Sequence, residues 1–267
     1  MTKGDIHCLV KGLSGIEQHH HTGKMNNKTI SIIQEGETLC DLAAELVHKG
    51  DYQLAIHHYE QAEAKFKSVQ DINWIVFAQH ERFICLQNLE NYEVAAHLSK
   101  EIIENYQFLE KCENLSLFLI QLANVYMANN KNGIAIETLR MAEDIALEHQ
   151  MTHIFAHTYS NIAACLINLQ HYTGALEYLN KAIAEYQQQN QEHGVAWCYE
   201  NTGRCYEELF LNDEAEKNYF KAQRRFVALK EPKSALGALK SLVNLYGISG
   251  KKEKEKQIQD IILQIEN

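Results

Sequence analysis

Residues 156–190 carry the hydrophobic pattern of an antiparallel helical hairpin. The first half places four apolar or small residues at the i, i+3, i+4 and i+7 spacing of one helix face, namely Tyr159, Ile162, Ala163 and Leu166. A short polar turn follows at Gln170 and His171. A second stripe then consists of Ala175, Leu179 and Ala182. One hairpin cannot bury both stripes alone, so the pattern predicts neighbouring hairpins on either side.

The same pattern recurs along most of the chain with a period of 40 residues. The alanine that opens the second stripe returns at this interval, as Ala55, Ala95, Ala135, Ala175 and Ala215. Self-similarity of this kind indicates a repeat architecture. The period predicts one repeat domain over residues 31–267, with units at about 36–70, 76–110, 116–150, 156–190, 196–230 and 236–267. Residues 1–30 lack the pattern and are predicted to form an irregular N-terminal segment.

A helix-turn-helix repeat with a small residue on its first helix, as at Ala123, Ala163 and Gly203, resembles the tetratricopeptide repeat (TPR). The resemblance implies an all-α protein, a right-handed superhelix of about six helical hairpins. The period here exceeds the 34 residues of the common tetratricopeptide repeat. We therefore expect either longer helices, by about one to two turns, or longer turns between the repeats.

The composition narrows the classes of partner and compartment. A net charge of −10 disfavours both a nucleic-acid-binding surface, which needs a basic face, and adsorption to an anionic membrane. The single proline, Pro232, favours helix. The seven cysteines include no C-x-x-C pair, and the chain has neither a signal-peptide pattern nor the ~20 apolar residues of a membrane span. These features predict reduced thiols and a cytoplasmic location.

The sequence contains no motif with the specificity of a catalytic site. It has no H-E-x-x-H and no serine in a nucleophile-elbow context. The adjacent His19, His20 and His21 suggest a metal site, but neighbouring side chains cannot all face one ion from a regular element. A solvated loop is the favoured interpretation of this triplet. We therefore predict no catalytic residue, no metal and no cofactor.

Three stretches resemble the repeats of Rap-type proteins, which are peptide-pheromone receptors and response-regulator phosphatases of Gram-positive bacteria and their phages. They are residues 55–103 and the stretches YSNIAACLINLQHYTGALEYLNKAIA and ENTGRCYEELFLNDEAEKNYFKA. In that group, a short secreted peptide re-enters the cell and binds the concave groove of the superhelix. The resemblance implies that the first helix of each unit lines such a groove in this protein.

Together with the repeat register, the resemblance predicts that a set of polar residues faces the groove: Asn124, His157, Asn161, Asn168, Glu200, Asn201, Arg204 and Asn244. Asn161 and Asn201 are equivalent residues one repeat apart, and they match asparagines with which that family holds the peptide backbone. An asparagine carries both a donor and an acceptor, so it can bond to an extended backbone through both. The alternative is that these residues satisfy local polar contacts between helices.

The resemblance leaves three functions open. The first is a non-enzymatic intracellular module that binds a short peptide or a partner-protein segment in the groove, as a quorum-sensing receptor that regulates a partner does. The second is a Rap-like response-regulator phosphatase. Those phosphatases carry a three-helix bundle before the repeats, whereas about 30 residues precede them here, so a non-enzymatic function is favoured. The third is an assembly scaffold that self-associates, for example as a homodimer.

Overall fold

The computed structural model describes residues 26–266, and in this range it contains twelve α-helices and no β-strand. The chain divides into two compact units, Met1–Lys111 and Cys112–Asn267. The described helices of the first unit are α1 Asn27–His48, α2 Tyr52–Ser68, α3 Ile72–Asn88 and α4 Tyr92–Phe108. Those of the second unit are α5 Cys112–Ala128, α6 Asn132–Glu148, α7 Phe155–Asn168, α8 Tyr172–Gln188, α9 Glu192–Glu208, α10 Asn212–Ala228, α11 Pro232–Ile248 and α12 Lys252–Glu266. The predicted all-α class is confirmed.

The repeat owes its length to long helices rather than to long turns. Helices such as α8 and α9 contain 17 residues each, and three residues connect them. At α7, a 3₁₀ turn at Thr152–Ile154 precedes 14 residues of α-helix and preserves the spacing. The hairpins begin about four residues before the predicted unit boundaries, for example at Glu192 and Pro232 rather than at about residues 196 and 236. The reason is that the first helical turn is largely exposed and carries no stripe.

Every helix connection in residues 49–251 has a residue with positive φ at the same place. Gly50 and Gly250 occupy the first and last of these positions, and nine non-glycine residues occupy the others. Around Gln170, whose φ is +60°, the N–H of Gln170 donates to the carbonyl of Ile167 and the N–H of His171 donates to that of Leu166. This pair of bonds is the Schellman motif, which ends a helix and satisfies its last carbonyls.

The cores of both units follow the predicted stripes. Ala175, Leu179 and Ala182 of α8 have no exposed surface, and neither has Ala163 of α7. They form one cluster with Tyr186 and with residues of α9. In this way α7 and α8 pack as a hairpin, and α8 packs against the first helix of the next hairpin. Small residues at the helix contacts let the backbones approach, and the large side chains fill the remaining space.

Helix α1 begins inside the segment that was predicted to be irregular. Asn26 caps this helix, because its side-chain oxygen accepts a hydrogen bond of 2.8 Å from the backbone N–H of Thr29. An asparagine cap satisfies one of the free donors of a first helical turn. The histidine triplet lies outside the described residues. No helix in the described range combines the length and the apolar character that a bilayer crossing requires.

Candidate functional site

The eight predicted groove residues all lie in the second unit, on the first helices of its hairpins, α5, α7, α9 and α11. On α7, His157, Asn161 and Asn168 stand four and seven residues apart, so they project from one side of the helix. The opposite side is buried, since Ala163 and Cys165 have no exposed surface. We call the polar surface of these four helices the first-helix face. It is formed by Asn124, His157, Asn161, Glu200, Asn201, Arg204 and Asn244.

The structure joins two of the predicted residues directly. Nδ2 of Asn161 donates a hydrogen bond of 3.1 Å to Oδ1 of Asn124 on the neighbouring first helix. This contact uses one donor of Asn161 and the carbonyl oxygen of Asn124. The carbonyl oxygen of Asn161 and the amide nitrogen of Asn124 therefore remain available. Together they offer an acceptor and a donor side by side, the combination that an extended peptide backbone complements.

Asn201 is equivalent to Asn161 in the repeat but has a different partner. Its Nδ2 donates a hydrogen bond of 3.0 Å to the backbone carbonyl of Trp197, one turn earlier in α9. Bonds of this kind to the carbonyl four residues back are common for polar side chains inside helices. The side-chain oxygen of Asn201 makes no hydrogen bond within the described residues. This residue therefore presents an acceptor to the first-helix face.

His157 belongs to a hydrogen-bonded group with Tyr186 of α8. The Tyr186 hydroxyl lies 3.2 Å from Nδ1 of His157 and 3.1 Å from Oγ of Ser160. Burial lowers the pKa of His157, because a partly desolvated site disfavours the charged imidazolium. The ring of Tyr186 also lies against Gly194 of α9, where an added Cβ would come within 2.7 Å of it. His157 is thereby linked to the packing between two hairpins.

Asn168 makes a local contact of the kind that the alternative interpretation expects. Its Nδ2 donates a hydrogen bond of 3.1 Å to Oδ1 of Asn132 at the start of α6, and Asn132 is buried. A buried amide oxygen needs a partner, because leaving it without one costs about 1–3 kcal/mol. Asn168 therefore supplies a structural hydrogen bond between α7 and α6.

Glu200 and Arg204 lie one turn apart on α9 and do not meet. Within the described residues, neither side chain makes a hydrogen bond or an ion pair with the other or with any neighbour. Burial raises the pKa of Glu200, because its partly desolvated carboxylate has no counter-charge. The first-helix face thus carries one free anion and one free cation.

Asn244 lies apart from the other predicted residues, at the last hairpin. It lines a cavity of about 580 Å³ between α11 and α12. Val243, Ile262 and Leu263 supply the apolar part of its wall. The structure therefore places Asn244 in a mixed polar and apolar recess and gives it no partner on α9.

Sequence reasoning missed Tyr186 and Gly194, which connect the first-helix face to the packing of the hairpins. Tyr186 falls on an ordinary apolar stripe, and the pattern gives no sign that its hydroxyl reaches His157. A glycine inside a helix is a usable signal, because it weakens the helix unless close packing requires it. Gly194 is such a glycine.

The first unit contains a cluster of charges that the sequence pattern also failed to indicate. Buried Gln79 donates from Nε2 to Glu63 at 2.9 Å and to Glu101 at 2.8 Å, and Arg82 pairs with Glu63. Although burial acts to raise it, the hydrogen bonds from Lys67 and Gln79 and the charge of Arg82 hold the pKa of Glu63 below its ordinary value. These groups bond mainly to one another, which is typical of a structural network, although Nε of Arg82 has no partner there.

No cluster of three or more His, Cys, Asp or Glu side chains that could hold a metal ion exists between residues 26 and 266. The described cysteines are all free thiols. Burial raises the pKa of the Cys165 thiol, and that of Cys198, to about 12, so both remain protonated and unreactive. The groups that the first-helix face offers are hydrogen-bond donors, hydrogen-bond acceptors and charges.

The repeats that carry this face are similar to those of known proteins. Residues 155–226, which include the helices α7 to α10, match the tetratricopeptide repeat family model. The chain is also similar to response regulator aspartate phosphatase E of Bacillus subtilis strain 168, with 25% identity over 170 residues. That alignment covers 58% of this chain and 44% of the phosphatase. The chain thus spans less than half the length of this curated relative.

Two solved structures share the fold at lower identity. A STAND-type signal transduction ATPase with a tetratricopeptide repeat sensor, from Pyrococcus horikoshii, has a TM-score of 0.77 at 15% identity, over 87% of this chain and 36% of its own. A Rap protein complexed with competence and sporulation factor has a TM-score of 0.59 at 17% identity, over 87% of this chain and 76% of its own. These matches confirm the tetratricopeptide-like fold and the resemblance to Rap-type proteins.

Proposed function

We propose that this protein is a peptide-binding regulatory module, which holds a short linear peptide or an extended segment of a partner protein on the first-helix face. The observation that carries the proposal is the amide pair of Asn124 and Asn161. Its hydrogen bond leaves one donor and one acceptor exposed, which suits the backbone of an extended chain. Because backbone groups occur in every peptide, these amides supply affinity, and the charged side chains around them supply specificity.

The comparisons support a regulatory role for such binding. One solved Rap protein of similar fold carries a bound competence and sporulation factor, and the curated relative is named a response regulator phosphatase. A peptide on the first-helix face would act by favouring one arrangement of the hairpins over another, since a ligand shifts an equilibrium only through a difference in affinity between two states. The close contact between Tyr186 and Gly194 joins two hairpins, and the Tyr186 hydroxyl also contacts His157 on this face.

Calorimetric titration with a pool of synthetic hexapeptides, followed by titration with the peptides that the protein retains, tests the proposal. We expect binding by the unaltered protein and about tenfold weaker binding by Asn161→Ala and Asn201→Ala, because each loses a hydrogen bond to the peptide backbone. Asn180→Ala is the matched control, because Asn180 is exposed on the second helix of the same hairpin. Equal affinity in all four proteins would exclude the asparagines as peptide ligands.

The name of the curated relative favours a second candidate function, namely the dephosphorylation of a response regulator. A phosphorylated receiver domain incubated with the protein would then lose its phosphate faster than alone. Acceleration would assign the enzymatic function, and an unchanged rate of loss would leave the binding function.

A further inference from the structure

Glu200 and Arg204 occupy the spacing at which helical ion pairs form most readily, with the acid four residues before the base. Nevertheless, the two do not pair with each other or with another described residue. Some charges elsewhere in this unit do pair: Lys217 lies 2.6 Å from Glu214, and Lys254 lies 2.6 Å from Glu216. Other charges of this unit are also unpaired, but Glu200 differs from an exposed one such as Glu177 because it is partly buried.

The unpaired, ionised carboxylate of Glu200 destabilises the folded state. It is partly buried, and burial without a counter-charge disfavours its ionised form. Replacement by an uncharged side chain would remove this penalty. A residue that opposes stability at a binding surface indicates that its charge meets a partner that the isolated chain lacks.

The carboxylate lies beside Gly237 of the neighbouring first helix, α11. A Cβ added to Gly237 of α11 would lie 3.7 Å from Oε1 of Glu200, at van der Waals distance. The residues equivalent to Gly237 in the three preceding repeats are Leu117, His157 and Trp197, all of them large. Of these four equivalent positions, residue 237 alone has no side chain. Within 4 Å, a Cβ at residue 237 would meet only the carboxylate oxygen, so we call the volume that a side chain would fill there the recess beside Gly237.

We propose that Glu200 binds a cationic nitrogen of the peptide, an ammonium or guanidinium group that enters the recess beside Gly237. This inference rests on the proposed function and specifies the chemistry of its ligand. The amide pair of Asn124 and Asn161 holds the backbone, and the ion pair with Glu200 selects among peptides. Arg204, about 6 Å further along α9, favours a ligand that carries a negative group next to the cation. The net charge of −10 also attracts cationic ligands to the protein.

Two sources could supply the cation, the amino terminus of the peptide or a lysine or arginine side chain. Two pools of random synthetic hexapeptides distinguish them, one with free and one with acetylated amino termini. Each pool is passed over the immobilised 267-residue chain, and the retained peptides are sequenced by mass spectrometry. Enrichment of lysine or arginine at one position in both pools assigns the side chain. Retention of the free pool alone assigns the terminus.

Substitutions at the recess then test the role of Glu200. We expect Glu200→Gln to reduce the enrichment of the cation about fivefold to tenfold, the loss that one partly desolvated ion pair produces. Glu200→Lys should reverse the selection, toward aspartate and glutamate or toward a pool with succinylated termini. Gly237→Leu should abolish the selection, because the new side chain fills the recess. Reversal is a gain of binding, so misfolding cannot mimic it.

Glu177→Gln is the matched control, because Glu177 is an exposed glutamate on the second helix α8, and it should retain the selectivity of the unaltered protein. Retention of peptides with no preference for a cation, or a preference that survives in Glu200→Gln, would overturn this inference and leave the proposed function in place. Failure of the unaltered protein to retain any peptide would overturn the proposed function and this inference with it.

Discussion

Nδ2 of Asn161 donates a hydrogen bond to Oδ1 of Asn124 at 3.1 Å, and both side chains lie on the surface of the second unit. Asn168 makes a bond of the same length to Asn132, but there the acceptor is buried. The burial of the partner separates the two cases. A bond to a buried amide satisfies the fold, whereas a bond between two exposed amides adds little to stability and leaves groups free for a ligand.

Asn124→Ala and Asn161→Ala should therefore affect binding more than folding. We expect each substitution to lower the free energy of unfolding by no more than about 1 kcal/mol, because water replaces the lost partner at an exposed site. Urea denaturation of both single variants and of the double variant measures the coupling between the two amides. A loss of several kcal/mol in either single variant would show that the pair is structural.

Gly194→Ala should destabilise the second unit. The new Cβ would lie 2.7 Å from ring atoms of Tyr186, and that ring is buried, so it cannot move aside freely. Overpacking of this kind costs about 1–3 kcal/mol. The displaced Tyr186 hydroxyl would also lose its contacts with His157 and Ser160. The midpoint of urea denaturation measures the loss.

Gly133→Ala is the matched control for that substitution. Gly133 lies in α6, where an added Cβ would meet nothing within 4 Å. Alanine at an unobstructed helical position stabilises by about 0.5–1 kcal/mol relative to glycine. The two glycine-to-alanine substitutions should thus shift the midpoint in opposite directions. Shifts of the same sign would contradict the close contact at Tyr186.

The repeat register could be predicted from the sequence, because buried alanines such as Ala135, Ala175 and Ala215 mark it every 40 residues. The register places Asn161 and Asn201 at equivalent positions but cannot supply their partners. Those depend on the distance between neighbouring helices and on side-chain rotamers, so one amide reaches Asn124 and the other bonds within its own helix. Hydrophobic periodicity contains no information on either quantity.

The turns illustrate a second limit of sequence reasoning. Between residues 26 and 266, the glycines with a positive φ are Gly50 and Gly250, while residues such as Gln170 and Phe210 adopt the same conformation. The same Schellman pair of hydrogen bonds closes the helices that end before Gln170 and Phe210, and this motif places one residue in the left-handed conformation whatever its type. The sequence predicted a turn at Gln170, but residue preference alone does not indicate that its φ is positive.

Phe210→Gly should stabilise the second unit. Phe210 has a φ of +60° and a side chain that is 85% exposed, so the residue contributes backbone strain and little packing. Glycine removes the strain of the left-handed conformation, which stabilises the folded state by about 1 kcal/mol. The greater conformational entropy of glycine in the unfolded chain offsets part of this gain. Thermal denaturation should show a higher Tm. Gly250→Ala, at an equivalent turn with a φ of +70°, should show a lower one. A lower Tm for Phe210→Gly would imply that its side chain contributes packing.

Glu200→Gln should make the second unit more stable at pH 8 while it weakens peptide binding. Because burial raises the pKa of Glu200 above its ordinary value near 4.5, the folded chain binds this proton more tightly than the unfolded chain does. The contribution of this group to stability is therefore present below pH 4.5 and is lost as the pH rises through its raised pKa. Glutamine carries no such dependence.

The Tm of Glu200→Gln should accordingly exceed that of the unaltered protein by about 1–3 °C at pH 8, and the difference should shrink as the pH falls toward 5. Glu177→Gln, at an exposed site on α8, should show no difference at either pH. If the carboxylate were structural, the same substitution would lower the Tm of the protein, because the partners of the carboxylate would lose the charge with which they interact. Opposite effects on stability and on binding therefore distinguish a ligand-binding carboxylate from a structural one, and a lower Tm at pH 8 would exclude the former.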